Sequence, residues 1–186
     1  RSLPPPQPSP SLGEGDLIHS MLRLLTPINA WIARLCMFAA VAGLLAIVAV
    51  VAWQVFGRYV LNDTPTWAES LALVLVLYVT MFGAAVGVRD AGHIGLDSVI
   101  AYAVSERHRI WFEYVIHVLV GIFGFLMAWH GGVLAASVMP YKIPILGLPE
   151  GINHIPLVIA GALIVLFSIE HILALIAGEK VVPAWH

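Results

Sequence analysis

The chain has 186 residues, 60% of them hydrophobic and only 11% charged, with a mean hydropathy of +0.93. A water-soluble domain carries about 25% charged residues, so there is too little polar chain to cover a core of this size. The net charge of −2 leaves no electrostatic footprint for nucleic acid, and a lone cysteine, Cys36, excludes an intrachain disulfide.

Residues 1–20 hold Pro4, Pro5, Pro6, Pro8 and Pro10 among Ser and Gly. They read as a flexible, polyproline-prone tail or start-site extension outside the fold. Met21–Arg34 sets Leu22, Leu25, Ile28 and Ile32 against Arg23, Asn29 and Arg34, an interfacial lead-in with a break or helix start at Pro27. Four apolar helices follow, at about Trp31–Leu61, Thr66–Val88, Arg109–Met139 and Gly151–Ala177. Each is long enough to cross a hydrocarbon layer of ~30 Å at ~1.5 Å per residue. The expected fold is therefore all-α and membrane-spanning, one four-helix domain over 21–180 with a short tail over 181–186. The connection Arg89–His108 interleaves Ile94, Leu96, Val99, Ile100, Tyr102 and Val104 with polar residues. That pattern predicts a short amphipathic helix lying on the membrane surface between helices 2 and 3.

Lysine and arginine set the expected orientation. The side with both termini and the middle connection carries Arg1, Arg23, Arg34, Arg89, Arg107, Arg109 and Lys180; the other carries Arg58 and Lys142. The positive-inside rule then places both termini in the cytoplasm. Trp53, Tyr59, Trp67 and Tyr141 form the outer aromatic belt on that reading, and Trp31, Trp111 and Tyr114 the inner one.

Few residues are candidates for chemistry. Arg58 and Glu69 flank the first turn at similar depth, with Gln54 one turn deeper on the Arg58 face. They either form an ion pair at the hairpin mouth or separately meet lipid phosphate and water. Glu113 and Glu170, near helix ends, read by default as solvated or snorkelling. Gly83 and Gly87 make a small-residue seam that admits another helix, in this chain or in a second protein. His117, His130, His154 and His171 invite a haem between helices 3 and 4. At about 100° per residue the two histidines of each helix diverge, and helix-end histidines are the plainer reading. His93 and Asp97, four apart, share a face without a third metal ligand. No nucleophile elbow, phosphate loop, CxxC or HExxH pattern occurs. Enzyme, cofactor and metal roles are not expected.

Gln54-Val55-Phe56-Gly57-Arg58-Tyr59-Val60 followed by Trp67-Ala68-Glu69 resembles the first hairpin of the small membrane subunit of TRAP transporters, the DctQ-like family. Gly83-Ala84-Ala85, Arg89, His93-Ile94 and Asp97 continue the resemblance, as does the turn Ile145-Leu146-Gly147-Leu148-Pro149. Ser70 departs from it, standing where many members carry a second acid. The resemblance implies a bacterial inner-membrane subunit that scaffolds a large M-type membrane subunit. The assembly takes up an organic acid, delivered by a periplasmic binding protein, on an ion gradient. Gln54, Arg58, Trp67, Glu69, Gly83, Gly87, Arg89, His93 and Asp97 would then serve the partner and lipid interface. The rival readings are a membrane anchor of a redox complex, with or without haem, a small independent channel or exporter, and a purely structural membrane protein outside transport.

Overall fold

The computed structural model describes residues 14–90, 106–178, 181 and 184. Four helices carry the fold: α1 (Glu14–Phe56), α2 (Trp67–Asp90), α3 (Glu106–Val138) and α4 (Ile155–Ala177). All four are long and apolar enough to cross a membrane. The start of α1, the end of α2, the start of α3 and the end of α4 share one side, termed here the terminal end. The α1–α2 turn and the α3–α4 loop share the other, the hairpin end.

α1 differs from expectation at its start. The lead-in expected to break at Pro27 is the first part of one 43-residue helix, which also takes in residues expected as tail from Glu14 onward. Proline costs one hydrogen bond and a local clash. Here the surrounding turns are fixed from the side: Asn29 bonds to Glu170 of the last helix, Ala33 lies in the core, and Leu22 is buried too. At the hairpin end α1 widens into a π turn, Gly57–Leu61, and Asn62 reverses the chain with φ 56°. Asn tolerates this left-handed backbone because its short polar side chain bonds locally. Gly57 is required by close approach: a Cβ there would lie 2.9 Å from both the Asp63 carbonyl and the Pro65 ring.

α4 is the centre of the molecule. It packs on α1, α2 and α3, whereas among the described residues α3 touches neither α1 nor α2. The core follows from that layout: Ala33 of α1, Ala85 and Val86 of α2, and Ala160, Ile164 and Phe167 of α4. Small residues bring the backbones together. A Cβ on Gly161 would meet the Ala128 nitrogen at 2.6 Å and the Gly124 carbonyl at 2.7 Å, so α3 and α4 touch backbone to backbone. Tyr78 of α2 donates its hydroxyl to the Ile152 carbonyl at 3.1 Å, fixing the short 3₁₀ turn Glu150–Asn153 that leads into α4. Large apolar side chains such as Phe38, Leu45, Phe123 and Trp129 face outward. A bilayer or a membrane partner accepts them at no cost, where water would not. The expected amphipathic surface helix lies outside the described residues.

Candidate functional site

The buried polar residues of the described chain gather at the terminal end. Asn29 comes from α1, Arg89 and Asp90 from the last turn of α2, His117 from α3, and Ser168, Glu170 and His171 from the last turns of α4. All but Asp90 are at least nine-tenths buried as whole residues, and the Asp90 side chain is 1% exposed. Arg89 is the hub. Its Nε donates to Glu170 Oε2 and its Nη2 to Glu170 Oε1, both at 3.2 Å, a two-pronged pairing that suits the planar guanidinium. Nη1 donates to Asp90 Oδ1 at 2.8 Å, and Nη2 also reaches the Thr26 carbonyl at 3.4 Å. Asn29 Nδ2 donates to Glu170 Oε2 at 2.8 Å. One carboxylate thereby joins α1, α2 and α4.

Two further contacts close the end. The Arg89 guanidinium lies 5.9 Å from the centre of the Phe167 ring, within reach of a cation–π attraction. Beyond α4, the buried Ala184 donates its N–H to Asp90 Oδ1 at 3.2 Å, and its carbonyl accepts from Arg34 Nε at 2.6 Å. The His171 ring stacks on His117 at 4.5 Å and 11°, linking α4 to α3. Its Nε2 sits 3.0 Å from the Arg89 carbonyl, which only accepts, so Nε2 carries the proton.

Of the described residues expected at the partner and lipid interface, only Arg89 belongs to this cluster. Arg58 and Glu69 are both exposed, and no ion pair joins them among the described residues. The π turn buries Gly57 and leaves Arg58 outside, its guanidinium 6.0 Å from the Tyr59 ring. Of the two alternatives, the structure has the separate surface charges. Gln54 is half-buried and Trp67 exposed. A Cβ on Gly83 or Gly87 would meet nothing within 4 Å, so the seam on α2 is not filled by the described part of this chain. Arg89 is the exception: it is 2% exposed and belongs to the inner cluster, not to an outer face. His93 and Asp97 lie outside the described residues.

Glu170 is the correction of most consequence. Expected to be solvated or to snorkel, it has no exposed surface. Two signals pointed to it. It is the only charged residue between Gly151 and Gly178, and an ionisable side chain inside a membrane helix calls for a named partner. Arg89, at the matching end of α2, was that partner. Asn29 carried a weaker sign, a lone amide among apolar neighbours.

A family model described as the DctQ component of tripartite ATP-independent periplasmic transporters matches residues 47–178. The chain belongs to that family. A DctQ component is a transport protein and not an enzyme, and this one is a multi-pass protein of the bacterial inner membrane, the small subunit of a TRAP transporter. It is similar to the sialic acid TRAP transporter small permease protein SiaQ of Vibrio cholerae serotype O1 (strain ATCC 39315 / El Tor Inaba N16961), 31% identical over 65 residues. That match covers 35% of this chain and 37% of the relative. The matched family segment takes in Arg58, Glu69, Arg89 and Glu170 alike, and begins beyond Asn29.

Proposed function

We propose that this small subunit is a rigid scaffold for a large M-type membrane subunit. The assembly would take up an organic acid from a periplasmic binding protein, driven by an ion gradient, with the terminal end in the cytoplasm. The observation that carries the reading is where the buried charge lies. Arg89, Glu170 and Asp90 pair with one another at one end and cross-link the helices; they do not step across the bilayer as a proton or ion relay would. A stationary element for a moving partner needs such cross-links. The open Gly83–Gly87 face of α2 offers a second protein the close backbone approach that small residues permit.

Gln54, Arg58, Trp67 and Glu69 serve the lipid and partner interface on this reading, with His93 and Asp97 beyond the end of α2. A bis-histidine haem finds no support in the His117–His171 pair. The rings oppose each other face to face, and His171 Nε2 is engaged by the Arg89 carbonyl. Axial ligands present ring nitrogens to one iron.

Co-purification tests the proposal. The double variant Gly83→Leu, Gly87→Leu is expected to fold as the natural chain does, since both sites are open, and to recover less of the large subunit from detergent extracts. Equal recovery of the large subunit by both chains would remove α2 as the docking face.

A further inference from the structure

The α3–α4 loop combines three observations that the scaffold reading does not use. First, it is a tight structure closed by its own backbone. Ile143 N–H donates to the Leu148 carbonyl and Glu150 N–H to the Tyr141 carbonyl, each at 2.8 Å, and Gly147 N–H donates to the Ile143 carbonyl at 3.0 Å. Secondly, that closure holds Ile145 at φ 72°. A β-branched side chain in the left-handed region is strained, and Gly or Asn would be the ordinary occupant. Thirdly, nothing in the described chain covers the apolar apex: Ile145 is 65% exposed and Leu148 41%. An exposed, strained isoleucine in a self-satisfied loop points to an apolar surface outside the chain.

Depth identifies that surface. The Tyr78 hydroxyl is bonded to the Ile152 carbonyl at the foot of the loop. α2 begins at Trp67, so Tyr78 lies about 16 Å down its axis at ~1.5 Å per residue. The phenol leans back toward the start of α2, so the foot of the loop lies above the level of the Tyr78 backbone but still below Trp67. A loop that starts below the end of a membrane-crossing helix has less height to rise into bulk water than one that starts at its end. The loop also continues the outward apolar flank of α3, where Phe125 and Trp129 are exposed and α4 is the only helix neighbour among the described residues. Tyr141 and Lys142, both exposed at the neck of the loop, are the residue types that settle at headgroup level, the phenol amphipathic and the ammonium paired with phosphate.

We propose that the loop around Ile145 and Leu148 is a membrane-seating element. Its two apolar side chains enter the acyl-chain boundary of the leaflet on the hairpin side, and Tyr141 and Lys142 hold the headgroup level. The closed backbone lets the loop meet lipid without leaving all its amides to be satisfied there, and the left-handed turn at Ile145 aims the side chain outward. The inference rests on the membrane-spanning fold and stands whether or not α2 docks the large subunit.

Site-directed nitroxide labelling tests it. In a Cys36→Ser background, single labels are placed at Ile145→Cys or Leu148→Cys, with Trp129→Cys as the lipid-facing reference and Asp63→Cys as the aqueous one. The full chain is placed in phosphatidylethanolamine–phosphatidylglycerol nanodiscs, alone and with the large subunit. Collision rates are measured with oxygen, which partitions into lipid, and with a water-soluble nickel chelate. The expected oxygen-to-nickel ratio at 145 and 148 is close to that at 129 and well above that at 63, with and without the large subunit. A ratio equal to that at 63 overturns the proposal in favour of a water-exposed loop. Loss of collisions with both reagents only when the large subunit is present overturns it in favour of a protein contact. Leu148, on ordinary backbone, guards against rearrangement of the strained turn by the label at 145.

Discussion

Replacing Glu170 with glutamine removes the charge and keeps the volume. In the native cluster Glu170 accepts two hydrogen bonds from Arg89 and one from Asn29, with no exposed surface. Removing one partner of a buried ion pair costs about 3–5 kcal/mol, because the other charge is left uncompensated. Arg89 keeps Asp90 at 2.8 Å, which puts Glu170→Gln at the lower end, about 3 kcal/mol, or roughly a hundredfold in the folding equilibrium at ~1.4 kcal/mol per tenfold. Replacing both charges, as Arg89→Leu with Glu170→Leu, is expected to cost clearly less than the two single changes added together, although it also takes the guanidinium from Asp90. Reversible unfolding in mixed micelles measures both. Cys36, partly buried and the only thiol, reports opening through a thiol-reactive fluorophore. A Glu170→Gln protein within about 0.5 kcal/mol of the natural one, or a double variant as unstable as the two single variants added together, would refute the coupling.

Four other outcomes follow from the geometry. A double-mutant cycle on Arg58→Ala and Glu69→Ala, read by the same unfolding assay, should give a coupling below about 0.5 kcal/mol, as expected for exposed charges that do not meet. Gly161→Ala should cost about 1–3 kcal/mol, because the new methyl strikes the α3 backbone, which cannot rotate away. Gly83→Ala, in open space, should be neutral or stabilise by up to about 1 kcal/mol through lower backbone entropy in the unfolded chain. Ala184→Lys should dislodge the segment beyond α4 from Asp90 and Arg34, seen as faster proteolysis beyond Gly178 with α1–α4 left intact.

The long elements were legible because membrane helices advertise themselves by length and apolarity alone. α2, α3 and α4 lie within a few residues of their expected bounds. The start of α1 was not, because Pro27 is a local break signal and tertiary burial of Leu22, Asn29 and Ala33 overrides it. Position along the chain misled the reading of charge. Arg58 and Glu69 are near in sequence and were expected at similar depth, yet they do not pair. Arg89 and Glu170 are far apart in sequence, and meet only because α4 packs into the α1–α2 hairpin. Nothing in the amphipathic pattern of α4 announces that packing, for a helix apolar on every face has no face to read. The seam at Gly83 and Gly87 was visible as spacing, but the backbone contact the fold uses is Gly124 with Gly161.

On the scaffold proposal, this chain holds the large subunit in its working form and carries no substrate itself. Proteoliposomes containing the large subunit, with or without this chain, and with binding protein, substrate and an imposed sodium gradient outside, test it directly. Uptake is expected with the pair, none with this chain alone, and a large loss with the large subunit alone or paired with Glu170→Gln. Equal uptake by the large subunit alone, well folded in lipid, would contradict it, as would uptake by this chain alone.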